Sequence, residues 1–244
     1  MGTTGNKIAD SFKIRASQCL DIMAVGKGGI SVGSMTYCKK WLKEKLFGRR
    51  EELKSKYIEK GNSCEEDGFT LMATELVKDM VYKNKERKSN DFSEGECDLF
   101  HKGVVYDNKS SWSLDTFPMF ETEIPDKKYW WQLQVYTWLW DCKNAKLCYT
   151  LNDATDELVE QAIKWEINHD KRYKIVERMV YTKNNFDRLK SLHFNLSTLD
   201  TFVEIPDKKR IKTFDVSADL DCRNKIEQHV ILCRHYIHSL LTNK

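Results

Sequence analysis

The sequence lacks the closely spaced cysteines that bind zinc or an iron–sulfur cluster. Eight cysteines occur among its 244 residues, but no two of them form a C-x-x-C pair. Zinc ribbons and iron–sulfur proteins hold their metal with clustered thiolates, so the spacing argues against both classes. The cysteines are therefore expected to be free, buried thiols.

A long apolar run is also missing. A membrane-spanning helix needs roughly 18 to 20 consecutive apolar residues, and no stretch of the sequence approaches that length. The segment Met1–Ala9 has no apolar run of the kind that secretion signals carry. We therefore expect a cytoplasmic protein with no membrane partner.

Neither sign of charge dominates the composition. Lysine and arginine total 40 and aspartate and glutamate total 37, so the formal net charge is only +3. That excess is too small to indicate a nucleic-acid partner by itself. Many of the bases fall between Tyr37 and Lys60, in a predicted helix that also carries glutamates. Such a helix presents either a solvated face with i to i+4 ion pairs or a surface that follows phosphates, and the sequence leaves both open.

Hydrophobic periodicity predicts alternating helices and strands, without an internal repeat. A hydrophobic content of 41% is enough for one core, so residues 1–244 are expected to form a single domain. The predicted elements are a helix from Ser34 or Thr36 towards Lys60, helices at Gly61–Lys78, Tyr129–Trp140, Asp153–Lys174 and Leu220–Leu241, and strands within Asp91–Lys109 and Ala145–Leu151. This order predicts an α/β fold in which a central mixed β-sheet is flanked by helices. The core is expected over residues 12–151 and a helical C-terminal extension over 153–244, with Asn184–Lys212 unassigned.

A Lys102-Gly103 step predicts a hairpin that brings two aspartates together. A two-residue turn at this step places Leu99 opposite Tyr106 and Asp98 opposite Asp107. Like charges that face each other across strands are destabilising, so an uncompensated pair of aspartates is a poor structural choice. A bound divalent cation would reverse that penalty.

The residues around these aspartates suit a hard cation. Carboxylates, with the carbonyl of Asn108, are oxygen ligands of the kind that Mg²⁺ and Mn²⁺ prefer. Lys109 shares a strand face with Asp107, where its ammonium can orient an attacking water or stabilise charge on phosphorus. The alternative is a solvated hairpin in which Lys109 pairs with Glu96. The hairpin alone leaves both interpretations open.

Four motifs resemble those of PD-(D/E)XK nucleases, and they follow one another along the chain in the order that is usual for these enzymes. Gly95–Asp98 together with Val104–Ser110 is similar to their D…(D/E)-x-K core. Gly61–Glu65 resembles the G-x-x-x-E of the preceding helix, and Gln132–Tyr136 resembles the Q-x-Q or Q-x-x-x-Y of the following helix. Ile14–Ser17 is similar to the N-terminal I-T-A-S motif of phage alkaline exonucleases of the lambda-exonuclease (YqaJ-like) type.

This resemblance implies a restriction-endonuclease-like core and a role for each matching residue. Glu65, Asp98 and Asp107, with Asn108, would form the metal site, and Lys109 would be the catalytic lysine. Gln132 and Tyr136, which lie on one face of the following helix, would contact DNA or orient the active site. The remaining residues that the motifs assign to DNA binding are Arg15, Ser17, Ser110 and Gln134.

The sequence departs from the family pattern at a few positions. Arg15 stands where threonine is usual, Cys97 replaces proline, and Asp107 replaces the commoner glutamate. An aspartate at 107 is shorter by one methylene but keeps the ligand chemistry. Glu65 and Glu66 are adjacent, and the motif spacing favours Glu65 as the metal ligand.

The resemblance implies a Mg²⁺-dependent exonuclease, with Mn²⁺ able to substitute. Its substrate would be linear double-stranded DNA, degraded 5′ to 3′ in phage recombination or replication, within the host cytoplasm. A single-strand annealing protein is an expected partner, and a homo-oligomer, a trimer if lambda-like, is an expected assembly. The alternatives are a restriction-type or structure-specific endonuclease of the same superfamily, and a non-catalytic DNA-binding protein on the same fold. A Cas4-like nuclease is a further option, although the cysteine spacing argues against its iron–sulfur cluster.

Overall fold

The computed structural model describes residues 7–26, 29–49, 61, 63–169, 179–192 and 202–242. In chain order, the elements are β1 (Ile14–Arg15), a 3₁₀ helix (Ala16–Ile22), α1 (Val32–Phe47), α2 (Glu65–Met72), a π-helical turn (Ala73–Val77), β2 (Lys88–Ser89), β3 (Ser93–Gly95), β4 (Leu99–His101), β5 (Val104–Ser110), α3 (Lys127–Leu139), β6 (Asn144–Thr150), α4 (Asp156–His169), α5 (Lys183–Leu192), β7 (Ile211–Ser217) and α6 (Leu220–Thr242).

The strands form two mixed sheets. The larger sheet has the order β4-β5-β6-β7, in which β5 and β6 are parallel and the two outer pairings are antiparallel. The smaller sheet has the order β1-β3-β2. Parallel neighbours need a crossover, and α3 lies in the connection from β5 to β6. The predicted α/β architecture, a mixed sheet flanked by helices, is confirmed.

The hairpin has the predicted register. Leu99 pairs with Tyr106 and His101 with Val104, and both turn residues have positive φ, 48° at Lys102 and 78° at Gly103. Positive φ at both central positions is the conformation that a two-residue hairpin turn favours. Val105 of β5 packs in the main core, while Tyr106 packs in a second cluster. Both faces of β5 are therefore covered.

The N-cap of helix α1 lies three residues before Ser34, the earlier of its two predicted caps. The hydroxyl of Ser31 accepts a hydrogen bond from the backbone nitrogen of Ser34 at 3.1 Å, which makes Ser31 the N-cap. Gly48, in the left-handed conformation with φ 63°, ends the helix after Phe47. The predicted continuation through residues 50–60 lies outside the described residues.

The C-terminal part contributes a strand that the sequence analysis did not assign. Strand β7 begins at Ile211, in the last two residues of the unassigned Asn184–Lys212, and it pairs along its whole length with β6. The C-terminal extension therefore contains a strand besides its helices. Helix α6 packs on the main core through Ile226, Val230 and Ile237.

The cysteines lie in the interior of the protein. All eight are buried, as expected. Within the described ranges, no helix is both long and apolar enough to span a bilayer.

Gly95 provides a test of how closely α3 and the smaller sheet approach each other. A Cβ at Gly95 would lie 2.7 Å from Cε1 of Tyr136 and 2.9 Å from Cβ of Ala16. We expect Gly95→Ala to lower the free energy of unfolding by roughly 1 to 3 kcal/mol, because the ring and the backbone must shift. Urea denaturation would measure the loss. The control is Gly33→Ala in α1, where the added Cβ meets only Ser31 Oγ at 3.7 Å and should cost nothing; equal losses would contradict the account.

Candidate active site

Strand β5 places Asp107 and Lys109 side by side. Alternation along a strand directs these two side chains to the same face. Asp107 is 2% exposed, and its Oδ2 lies 2.7 Å from Nζ of Lys109. Among the described residues, Lys109 thus pairs with Asp107 and not with Glu96, so the solvated-hairpin alternative does not describe this lysine.

Asp98 joins this pair from the adjacent segment, just before β4. The backbone nitrogen of Asn108 donates a hydrogen bond to Asp98 Oδ2 at 2.6 Å. Burial, together with the negative charge of Asp107, raises the pKa of Asp98 to about 6, although Lys109 and the Asn108 hydrogen bond oppose the shift. Two carboxylates therefore share a site in which one lysine does not fully offset their charge.

Lys109 stays protonated in this setting. Burial favours the neutral amine, but the charges of Asp107 and Asp98 outweigh it, so the pKa of Lys109 lies above its ordinary value. A lysine of this kind acts through its positive charge and its hydrogen-bond donors, and it does not serve as a general base near neutral pH.

Helix α3 supports Asp107 from one side through Gln132 and Tyr136. Gln132 Nε2 lies 3.3 Å from Asp107 Oδ1 and 2.9 Å from the hydroxyl of Tyr136. That hydroxyl donates to the backbone oxygen of Glu96 at 2.7 Å. The i to i+4 spacing brings both side chains to one helix face. Tyr136 is 4% exposed, which fits the orienting alternative better than direct contact with DNA.

Gln134, on the other hand, occupies a structural position. Its Nε2 donates to the backbone oxygen of Ser217 at 2.9 Å, and its Oε1 accepts from the backbone nitrogen of Asp219 at 2.8 Å. With only 1% of its surface exposed, this side chain joins α3 to the connection between β7 and α6. Contact with DNA would require these elements to separate, so the geometry offers no support for the predicted role.

Glu65 is the first residue of α2, and its carboxylate forms an ion pair with Lys83. The helix approaches β5 closely at Gly68, where a Cβ would lie 2.4 Å from Nδ2 of Asn108. No group of three or more acidic, histidine or cysteine side chains in the described part of the chain has an arrangement that would hold a metal. A role for Glu65 as a ligand therefore requires its release from Lys83.

A polar network surrounds the far end of β5. Thr150 Oγ1 donates to Asn108 Oδ1 at 3.2 Å, and Asn152 Nδ2 donates to Ser110 Oγ at 3.1 Å and to Thr150 Oγ1 at 3.0 Å. Ser110 is half-buried. The network fixes the Asn108 and Ser110 side chains on the face of β5 opposite to Asp107 and Lys109.

Arg15 and Ser17 lie at the start of the smaller sheet. The guanidinium of Arg15 pairs with both carboxylate oxygens of Glu44, at 2.6 and 3.3 Å, and contacts Glu94 at 3.7 Å. The hydrogen bond that Arg15 donates to Glu44 raises the pKa of Arg15 above its ordinary value. Ser17 is exposed. A phosphate at Arg15 would therefore have to displace carboxylates that already occupy the guanidinium.

Asn84 is a supporting residue that the sequence analysis missed. Its backbone nitrogen donates to the carbonyl of Asp98 at 2.8 Å, and its Nδ2 donates to the carbonyl of Cys97 at 3.0 Å. The same Nδ2 also donates to the carbonyl of Glu86, and the Oδ1 of Asn84 accepts from the backbone nitrogen of Glu86. No motif or periodicity marks Asn84 in the sequence, because its partners lie in the next strand segment.

The buried carboxylates fit a divalent cation. Asp107 is buried, and the one cation beside it among the described residues is Lys109, whose ammonium lies 2.7 Å from Oδ2. Two buried carboxylates that share one lysine carry excess negative charge, and oxygen coordination of a divalent cation would offset it. The same positive charge would stabilise the charged form of Asp98, whose pKa is raised without it.

Comparison of the whole fold with solved structures identifies exonucleases. The chain is similar to a phage-related exonuclease from Haemophilus somnus, with 25% identity over 98% of both chains and a TM-score of 0.72. It also resembles an alkaline exonuclease, LHK-Exo, from Laribacter hongkongensis, with 11% identity over 97% of this chain and 95% of that chain and a TM-score of 0.61. The complex of LHK-Exo with dAMP aligns with 12% identity over 98% and 93% of the two chains and a TM-score of 0.58. No protein-family model and no curated protein matches the chain.

These similarities define the class of fold. The chain has the mixed α/β fold of phage-type and alkaline exonucleases, as the resemblance to lambda-exonuclease-like nucleases predicted. The structural similarity covers nearly the full length of the chain, whereas the motifs all lie within the predicted core of residues 12–151. Strand β7 and helix α6 therefore belong to the shared fold.

Repulsion between the two aspartates can be tested in metal-free protein. The folded-state pKa of Asp98, about 6, lies above the ordinary value of 3.8, so the charged carboxylate destabilises the fold above pH 6 and ceases to do so towards pH 4. In EDTA at pH 8, Asp98→Asn should raise the free energy of unfolding by roughly 1 to 3 kcal/mol, and the gain should vanish near pH 4. Chemical denaturation at the two pH values measures it.

The control for this experiment is Asp91→Asn, which removes one charge from an exposed side chain. That change should leave stability nearly the same at both pH values. A wild-type protein that is as stable as Asp98→Asn at pH 8 would contradict the repulsion.

Proposed function

We propose that the chain is a metal-dependent DNA exonuclease that hydrolyses phosphodiester bonds of linear double-stranded DNA in the 5′ to 3′ direction. The observation that supports this most strongly is the buried Asp107. It lies beside Asp98 and Lys109, so that two buried carboxylates share one lysine, on a fold similar to that of exonucleases.

The residues of the site divide the chemistry among them. A bound Mg²⁺, for which Mn²⁺ can substitute, supplies Lewis-acid activation and neutralises phosphate charge. Asp107, Asp98 and the carbonyl of Asn108 would hold the ion, and Glu65 would join them once released from Lys83. Gln132 fixes the orientation of the Asp107 carboxylate through its contact at 3.3 Å.

Lys109 carries the catalytic charge in this proposal. Its protonated ammonium, next to Asp107, orients the attacking water or stabilises the negative charge that develops on the phosphorus oxygens. The position is half-buried, so the charge is only partly screened by solvent and acts at short range.

Substrate recognition follows from the surroundings of the site. Arg15, Ser17 and Ser110 would bind DNA phosphates, with Glu44 giving way at Arg15. The crystallised complex of LHK-Exo with dAMP supports a DNA substrate for this chain as well. A role in phage recombination or replication, an annealing protein as partner and assembly as a homo-oligomer, for example a trimer, complete the proposal.

A single assay tests the reaction. Linear duplexes labelled at the 5′ or the 3′ end, with and without a 5′-phosphate, and covalently closed circles are incubated with Mg²⁺, Mn²⁺ or EDTA. We expect loss of linear duplex from 5′-phosphorylated ends only with metal present. Efficient cutting of closed circles without any preference for a 5′-phosphate would favour the endonuclease alternative, and binding without cutting would favour the non-catalytic one.

The role of Lys109 is tested in the same assay. Lys109→Ala should lower the turnover rate about 100-fold or more while the affinity for DNA changes little, because charge is lost from the transition state and not from the DNA-binding surface. Lys102→Ala, in the exposed hairpin turn, is the matched control and should retain full activity. A defect of Lys109→Ala confined to DNA binding would contradict the catalytic role.

A further inference from the structure

The ammonium of Lys109 has a second neighbour besides Asp107. Its Nζ lies 5.2 Å from the ring centroid of Tyr129, in the first turn of α3. A lysine cation within about 6 Å of an aromatic face is attracted by the quadrupole of the ring. The ammonium is thus held between a carboxylate and a π face.

The Tyr129 ring is itself fixed in place. It contacts Tyr149 edge-on, with ring centroids 6.1 Å apart and an interplanar angle of 80°. Tyr149 is the β6 partner of Lys109 in the sheet register, so the strand next to the lysine carries the support for the ring. Lys128 also lies over this ring, at 4.6 Å from its centroid, and pairs with Asp126 at 3.0 Å.

This arrangement matters because Lys109 and a cation compete for one oxygen. Asp107 Oδ2 is the oxygen nearest to the ammonium, at 2.7 Å. A cation held by the Asp107 carboxylate would weaken this ion pair, and the flexible four-carbon side chain of Lys109 would then need another contact to stay in the site. The face of Tyr129 offers the ammonium a place to remain.

We propose that Tyr129 is a positioning residue that keeps the Lys109 ammonium beside the carboxylates when a divalent cation occupies Asp107. The proposal rests on the nuclease function proposed above. None of the motifs in the sequence includes Tyr129, which precedes Gln132 by three residues and faces Lys109 through tertiary packing.

Two substitutions at Tyr129 separate the effect of the aromatic ring from that of the hydroxyl group. Tyr129→Phe keeps the aromatic face and should retain turnover within about threefold, whereas Tyr129→Leu should lower kcat about 10- to 100-fold with KM nearly unchanged. Trp131→Leu, a half-buried aromatic of the same helix that contacts Trp130, is the control for loss of aromatic packing. It should leave kcat at the wild-type level.

A second measurement is independent of cleavage. Acetylation of lysines in the metal-free and Mn²⁺-loaded proteins, followed by mass spectrometry, reports the accessibility of Lys109, with the exposed Lys102 as internal reference. In Mn²⁺, we expect Lys109 to react several-fold faster in Tyr129→Leu than in wild type, Tyr129→Phe and Trp131→Leu. Rescue by phenylalanine separates positioning by the ring from a general loss of structure.

The outcomes distinguish the two proposals. Equal acetylation of Lys109 in all four proteins, with equal kcat, would overturn the role of Tyr129. Absence of cleavage by the wild-type protein, with Lys109 still protected by the ring, would overturn the nuclease function and support the contact. Loss of kcat in Tyr129→Phe equal to that in Tyr129→Leu would assign the effect to the hydroxyl and also overturn positioning by the ring.

Discussion

Burial of the Asp107 carboxylate is the constraint on which the rest of the site depends. A buried charge is costly unless it is paired and hydrogen-bonded, and Asp98 adds a second negative charge to the same space. Lys109 and Gln132 offset part of this cost, through contacts at 2.7 and 3.3 Å. Part of this cost remains, as the raised pKa of Asp98 indicates, and a divalent cation would remove it. The arrangement makes sense as a site that is completed by a metal ion, and it makes little sense as a purely structural salt bridge.

The fold delivers these residues through a few close approaches. Strand β5 lies between β4 and β6 in the sheet, and a buried cluster packs on each of its faces, so the side chain of Asp107 lies in the interior. Gly95 lets the ring of Tyr136 approach the segment that leads to Asp98, and Gly68 lets α2 approach Asn108. Helix α3 then contributes on one side the orienting pair of Gln132 and Tyr136. The first turn of the same helix contributes the ring of Tyr129, so one helix contacts both the carboxylate of Asp107 and the ammonium of Lys109.

Sequence reasoning succeeded where the determinants are local. The Lys102-Gly103 turn fixes the hairpin register, and the register alone brings Asp98 to the strand that carries Asp107. It was less successful where partners are distant in sequence. Asn84 and Tyr129 act through tertiary contacts that no motif records, and β7 was missed because its alternation of charged and apolar residues is short. Gln134 was grouped with Gln132, yet residues two apart on a helix point about 200° apart, and Gln134 therefore faces β7 and α6.

The most direct test of the account is a titration of the DNA-free protein with Mn²⁺, followed by calorimetry or by the electron paramagnetic resonance of the free ion. Wild-type protein should bind Mn²⁺ in competition with Mg²⁺, and Asp107→Asn, which keeps the size of the side chain but removes its charge, should bind at least about 10-fold more weakly. Equal affinity of the wild-type protein and Asp107→Asn for Mn²⁺ would contradict the claim that the buried carboxylate of Asp107 holds the metal.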